Sequence, residues 1–208
     1  VQSDLHAGLG AGISDGDGGE ERAIGEDTKA WASRVLADSD LVYTAAEIDA
    51  ALERLAQAIN ARLEGDELLV LTVMLGGLVT AGRLLPRLTM PLSLDYVHAT
   101  RYRGETRGKE LEWRMLPSSS IRGKRVLVVD DILDQGVTLC AVKAHCITQG
   151  AQEVYSAVLV DKTHKRPRQL ASADFTGVRV PDRYVFGCGM DYRGYFRNLA
   201  TIRAVREQ

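Results

Sequence analysis

Ile48, Leu52, Leu55, Ile59 and Leu63 recur at the spacing of three and four that lines one face of a helix. Thr44 with Glu47 forms a capping box ahead of them and Gly65 a stop behind, which predicts a helix over residues 45–64. The period then changes. Leu68-Leu69-Val70-Leu71-Thr72-Val73 is a near-continuous apolar run of strand length, the pattern of a strand buried on both faces in a parallel sheet. Gly76-Gly77 breaks it, Leu78 to Leu85 reads as a helix before Pro86, and Leu92 to Ala99 as a further strand. Residues 102–110 are polar and glycine-bearing, hence a loop, and Leu111 to Met115 returns as a strand. Val126 to Val129 is a second buried strand; after Gly136, Leu139, Val142, Cys146 and Ile147 mark a helix that ends at Gly150. Val154 to Val160 is a third buried strand and Tyr184 to Phe186 a last short one. Buried strands alternating with helices predict an α/β fold, a central, mostly parallel sheet flanked by helices.

The first 25 residues differ in kind: Gly8, Gly10, Gly12, Gly16, Gly18, Gly19 and Gly25 stand among Asp15, Asp17, Glu20 and Glu21. Such a stretch has little to bury and loses much entropy on ordering, so 1–25 reads as a flexible tail and 26–208 as a single domain. The formal charge of −2, from 26 basic and 28 acidic side chains, gives no overall field for nucleic acid or an anionic membrane. No apolar run approaches the ~20 residues of a membrane span and no signal-peptide pattern is present, so the expectation is a cytoplasmic protein. Three cysteines and four histidines fit neither a disulfide framework nor a zinc pattern, and the cysteines read as small buried side chains.

The chemistry concentrates in Val126 to Thr138, V-L-V-V-D-D-I-L-D-Q-G-V-T. An apolar strand delivers Asp130, Asp131 and Asp134 to the carboxyl edge of the sheet, where open α/β sheets bind ligands. The turn from Asp134 to Thr138 leads into a helix N-terminus, whose free N–H groups and dipole attract a phosphate, and Gly136 lets the backbone approach it. Carboxylates beside a phosphate repel it unless they face hydroxyl donors or a metal. The spacing therefore points to a sugar phosphate with free hydroxyls and to Mg²⁺.

This stretch resembles the phosphoribosyl-pyrophosphate-binding motif of the type I phosphoribosyltransferases, and the chain from about Leu68 to Val205 is similar to their hypoxanthine-guanine branch. The resemblance implies that fold, with a small hood for the base built from the N- and C-terminal parts of the domain. It implies purine salvage: transfer of phosphoribosyl to N9 of hypoxanthine or guanine with Mg²⁺, giving IMP or GMP and pyrophosphate. Leu75-Gly76-Gly77 would be the pyrophosphate loop, with a non-proline cis peptide at Met74–Leu75. Leucine stands where the family often has a basic or polar residue, which leaves only backbone amides to that loop. Arg101-Tyr102 would open the lid loop, where the family usually has Ser-Tyr. Asp130 and Asp131 would hold the ribose hydroxyls and reach Mg²⁺ through water; Asp134, Gln135, Gly136, Val137 and Thr138 would cradle the 5′-phosphate. Gln135 replaces the usual small hydroxyl residue. Asp134 would also be the general base at purine N7, and Lys162 the donor to the 6-oxo group. Tyr184 would stack on the base, the Val185 carbonyl would meet its exocyclic group, Asp191 would hold Mg²⁺ and Arg197 would contact pyrophosphate. A homodimer or homotetramer is implied as well, because the Arg101 region commonly lies at a subunit interface.

Other readings compete. Regulators that bind phosphoribosyl pyrophosphate or nucleotides share the fold and motif, but they need a nucleic-acid surface, and the one basic cluster, Lys162 to Arg168, reads as a solvated face. A nucleotide-binding module without turnover would follow if Leu75 and Gln135 were disabling. Adenine is disfavoured as acceptor because Lys162 is a donor, badly matched to a 6-amino group. The ranking of hypoxanthine, guanine and xanthine stays open.

Overall fold

The computed structural model describes residues 27–65, 67–101 and 111–206. The tail at 1–25, Tyr102 and the loop at 102–110 lie outside the described residues. The capping box forms as its spacing requires. The Thr44 hydroxyl accepts from the Glu47 N–H and the Glu47 carboxylate accepts from the Thr44 N–H, which starts helix α2, Ala45–Leu63. Its apolar stripe, Ile48, Leu52, Leu55, Ile59 and Leu63, is buried. Gly65 takes the left-handed backbone (φ 87°) that closes the helix.

Helix α1 (Thr28–Ala37) and strand β1 (Ser39–Tyr43) precede α2. After α2 come β2 (Leu68–Met74), α3 (Gly77–Leu84), a 3₁₀ turn (Leu85–Arg87) containing Pro86, β3 (Leu92–Arg101) and β4 (Leu111–Met115). Then follow β5 (Arg125–Leu133), α4 (Val137–Thr148), β6 (Glu153–Thr163), β7 (Phe175–Pro181), β8 (Val185–Phe186) and β9 (Ile202–Val205). The main sheet has six strands in the order β4-β3-β2-β5-β6-β7, all parallel except the edge strand β4. Its strands alternate between two cores. Val70, Leu127, Val129 and Leu159 pack with α2 and α3, while Leu69, Leu71, Val126 and Val128 pack with α4. Covering both faces explains the unbroken apolar runs.

The second sheet is small and antiparallel, β1-β9-β8, joining the start of the described chain to its end. Trp31 of α1 anchors it, 1 % exposed, stacked on Tyr192, edge-on to Tyr195 and tilted against Phe196. No described helix is long and apolar enough to cross a membrane.

Two expectations need correction. Tyr184 to Phe186 is not the last strand: β9 follows and pairs with both β1 and β8, and Tyr184 itself lies just before β8. Ile147 does not belong to the buried face of α4. It is 64 % exposed, because it sits about 100° around the helix from Cys146, which the stripe through Leu139 and Val142 buries. Leu127 and Ile147, one buried and one exposed, give a test. Leu127→Ala, in the central strand, is expected to lower the unfolding free energy by roughly 2–5 kcal/mol. Ile147→Ala is expected to change it by less than about 0.5 kcal/mol; urea titration followed by circular dichroism measures both.

Candidate functional site

The sheet order reverses direction between β2 and β5: the chain builds β3 and β4 to one side of β2, and β5, β6 and β7 to the other. This is the switch point where open α/β sheets form a crevice. Here β2 and β5 stay paired only as far as Thr72 and Val129, whereas β5 continues along β6 to Leu133 opposite Asp161. Asp130 and Asp131 therefore sit in the extension of β5, past the point where β2 departs.

Both acids are 8 % exposed. Burial first, and then the charge of Asp131 beside it, hold the Asp130 carboxyl well above the ordinary aspartate range; the Asp131 N–H, donating to Asp130 Oδ1, opposes this. Burial also raises Asp131, against the opposing hydrogen bond with Asp130 and the charge of Arg197. The space around Asp131 depends on glycine. A Cβ on Gly76 would lie 2.0 Å from Asp131 Oδ2, and one on Gly189 would lie 2.4 Å from the Gly76 carbonyl oxygen. A cis peptide joins Met74 to Leu75 just before this contact. Leu75 is 55 % exposed and carries no polar group, so Gly76, Gly77 and Leu75 offer an anion their backbone alone.

After β5 the chain turns through Asp134, Gln135 and Gly136 into α4. Gly136 has φ 74°, and a Cβ there would stand 2.7 Å from the Leu170 side chain, so backbone shape and packing both demand glycine. Val137 is buried, leaving only its backbone to the turn, and Thr138 is partly exposed at the helix start. The Gln135 carbonyl accepts from the Gln169 N–H at 2.8 Å, which ties the turn to the connection between β6 and β7.

Asp134 meets three basic side chains. Lys162 Nζ is 3.9 Å from Oδ2; His164 Nε2 and Arg166 Nη2 are 2.8 and 3.1 Å from Oδ1. Across the site Arg197 binds Asp191 at 2.6 Å, donates to the Gly189 carbonyl at 2.7 Å and reaches within 4.0 Å of Asp131. The Tyr184 hydroxyl donates to the Asp191 carbonyl at 3.2 Å. A cleft of about 190 Å³ is lined by Asp131, Asp134, Lys162, Tyr184, Val185 and Asp191 among others. A larger one of about 300 Å³, between residues 116–122 and the end of α4, has no acid in its lining and lies at the opposite edge of the sheet.

The fold thus gathers Leu75 to Gly77, Asp130, Asp131, the turn from Asp134 to Thr138, Lys162, Tyr184, Val185, Asp191 and Arg197 around one crevice. Arg101 ends β3, and Tyr102 lies outside the described residues. Four contributors escaped the sequence reading. Arg166 belongs to the cluster read as a solvated face and His164 to the histidines without ligand spacing, although their place two and four residues after Lys162 is a signal. Gly189 matters through a contact visible only in three dimensions. Cys188, read as a small apolar side chain, lies 2.9 Å from the Arg83 guanidinium as an acceptor, with φ 53°.

Comparison with known proteins shows the family to which this fold belongs. Residues 40–193 match the phosphoribosyl transferase domain. Hypoxanthine-guanine phosphoribosyltransferase of Staphylococcus aureus (strain Mu50) is 26% identical over 170 residues, covering 81% of this chain and 94% of that protein. Among solved structures, a hypoxanthine-guanine phosphoribosyltransferase from Bacillus anthracis is 28% identical with a TM-score of 0.73, covering 80% of this chain and 98% of the other. The hypoxanthine phosphoribosyltransferase of Trypanosoma cruzi, in complex with the product IMP, is 25% identical with a TM-score of 0.72, covering 80% of this chain and 93% of the other. With the sheet order, the paired acids at the switch point and a family match over residues 40–193 in agreement, the chain belongs to the phosphoribosyltransferase family.

Proposed function

We propose that the protein transfers the phosphoribosyl group of phosphoribosyl pyrophosphate to N9 of hypoxanthine or guanine, releasing pyrophosphate and forming IMP or GMP. The observation that carries this reading is the pairing of Lys162 with Asp134 in one cleft with Tyr184. A 6-oxopurine presents an oxygen acceptor and an N7 proton on adjacent positions of one edge. An ammonium donor 3.9 Å from a carboxylate acceptor matches that edge, while a 6-amino group would set donor against donor. The names of the relatives support the same substrates.

Position supports the following roles. Breaking the bond from the anomeric carbon to pyrophosphate builds positive charge on the ribose, as in glycoside hydrolysis. Asp130 and Asp131 accept hydrogen bonds from the ribose hydroxyls and favour that charge. The Asp134 to Thr138 turn and the start of α4 bind the 5′-phosphate. The backbone N–H groups of Leu75 to Gly77, with Arg197, hold the departing pyrophosphate. Asp134 takes the N7 proton while Lys162 stabilises the 6-oxo oxygen. Tyr184 stacks on the base, and the small sheet carrying Val185 forms the hood over it.

The donor set also fits Mg²⁺. Asp130 and Asp131 are hard oxygen ligands held together in a buried place that lacks a full countercharge, and Asp191 faces them across Arg197. Among the described residues no group of three or more His, Cys, Asp or Glu side chains is arranged to hold a metal ion, so water and substrate oxygens would have to complete its ligand set. When bound, the ion neutralises charge on the leaving pyrophosphate. A homodimer or homotetramer belongs to the same proposal, supported by Leu78 of α3, Leu94 and Tyr96 of β3 and Met115 of β4, which are 41–55 % exposed.

The first test is absorbance-monitored turnover of hypoxanthine, guanine, xanthine and adenine with phosphoribosyl pyrophosphate. Nucleotide formation from hypoxanthine or guanine, lost on chelation of Mg²⁺, is expected; binding of IMP without turnover of any base would end the enzyme reading. Asp134→Asn is expected to lower kcat about 10²- to 10⁴-fold, with little change in IMP binding by calorimetry. Asp130→Asn separates function from stability. Folding raises the Asp130 pKa, so the ionised form is disfavoured in the native state, and stability falls as pH rises from the ordinary value of 3.8 through the folded value. Above the folded value that penalty is fully present. The variant is expected to melt higher there, by roughly 2–4 °C for each kcal/mol relieved, while losing activity. The gain should vanish toward pH 3.8, and thermal scans across pH measure it.

A further inference from the structure

His164 stands just past the end of β6, its side chain fully buried, in contact with Asp134 but absent from the lining of the cleft. The backbone N–H of Arg166 donates to its Nδ1 at 3.1 Å. A ring nitrogen that accepts cannot carry a proton, so the ring proton lies on Nε2. That atom is 2.8 Å from Asp134 Oδ1, yet the N–H direction misses the oxygen, and Nε2 makes no aligned hydrogen bond. Asp134 can correct this without moving its backbone, because the torsion that turns a carboxylate is broad and soft.

The two oxygens of Asp134 have different surroundings. Oδ1 faces His164 and Arg166, and Oδ2 faces Lys162. Arg166 also binds Asp182 at 2.6 Å, two residues before Tyr184. The connection carrying both residues is fixed at several points. Arg168 bonds to Asp161 at 2.8 Å and also to the Lys162 carbonyl, Gln169 donates to Gln135, and Leu170 packs on Gly136. This connection is thus a brace behind the Asp134 turn.

We infer that His164, seconded by Arg166, is a positioning residue that engages Asp134 Oδ1 and so directs Oδ2 toward the purine N7 proton. The inference rests on the proposed reaction and deepens it. The imidazole never touches substrate. As Asp134 turns to meet the base, Oδ1 swings into line with Nε2–H, so the hydrogen bond forms together with the reactive geometry. Catalytic contacts that are poorly aligned in a free site commonly tighten in this way.

Two polar replacements of similar size test it. The side-chain nitrogen of His164→Gln reaches the place of Nε2, whereas that of His164→Asn reaches only the place of Nδ1. His164→Asn is expected to lower kcat about 10- to 100-fold, the scale of a misplaced catalytic group, with KM for phosphoribosyl pyrophosphate and IMP affinity nearly unchanged. His164→Gln is expected to retain most of the activity, and thermal unfolding checks that both variants fold. In the Asp134→Asn background, His164→Asn is expected to cost little more, since residues acting as one unit are not additive. Equal kcat for the Gln and Asn variants, or a full additional loss in the double variant, overturns the inference while leaving the reaction intact. A wild-type protein inactive on every base removes the reaction and this inference with it.

Discussion

Two adjacent carboxylates held away from water, where β2 parts from β5, set the conditions for everything else in the site. Buried acids side by side repel each other and lack the solvation that would support their charge. In the proposed reaction the hydroxyl donors and hard cation of an activated sugar phosphate would answer both deficits. The surrounding structure keeps that place open: β5 extends past its partner strand, α3 starts beside it, and Arg197 is the nearest fixed positive charge to Asp131. Such local destabilisation is the ordinary cost of a prepared binding site.

Close backbone approach makes the arrangement possible. Gly76 lies against the Asp131 carboxylate, Gly189 against the Gly76 carbonyl, and Gly136 under Leu170. The second of these contacts joins the main-sheet side of the site to the segment that follows β8. Arg197 spans the same junction through Asp191, Gly189 and Asp131. The small sheet is therefore tied to the acids by charge and by shape, and its own core of Trp31, Phe186, Tyr192 and Phe196 holds that segment in place. Opposite it, the connection after β6 braces the Asp134 turn. The crevice lies between these two supports.

Strong periodic patterns were legible because their causes are local. The capping box, the stripe of α2 and the double-faced strands β2, β5 and β6 each carry their signal in consecutive residues. The weaker elements carry none of comparable strength. β7 is an edge strand interrupted by Gly177, with mixed burial, and β8 holds two residues. β1 and β9 become a sheet only because chain ends some 160 residues apart pair with each other, Ser39 opposite Val205. No window of sequence contains that partnership. Ile147 misled for a related reason: apolar character locates a helix face only when the neighbouring layer is known.

The sequence by itself determined the α/β alternation and the motif from Asp130 to Thr138. Through resemblance it also pointed to Asp131, Asp134, Lys162, Tyr184, Val185 and Asp191, which line the cleft, but not to His164, Arg166 or Gly189 beside it. These depend on propensity, turn chemistry and the order of elements along the chain. Tertiary structure alone decided which oxygen of Asp134 faces Lys162, that His164 and Arg166 stand behind it, and that Gly189 must be bare where it meets Gly76. Those facts are distances between separate segments, and they exist only once the strands are packed at the switch point.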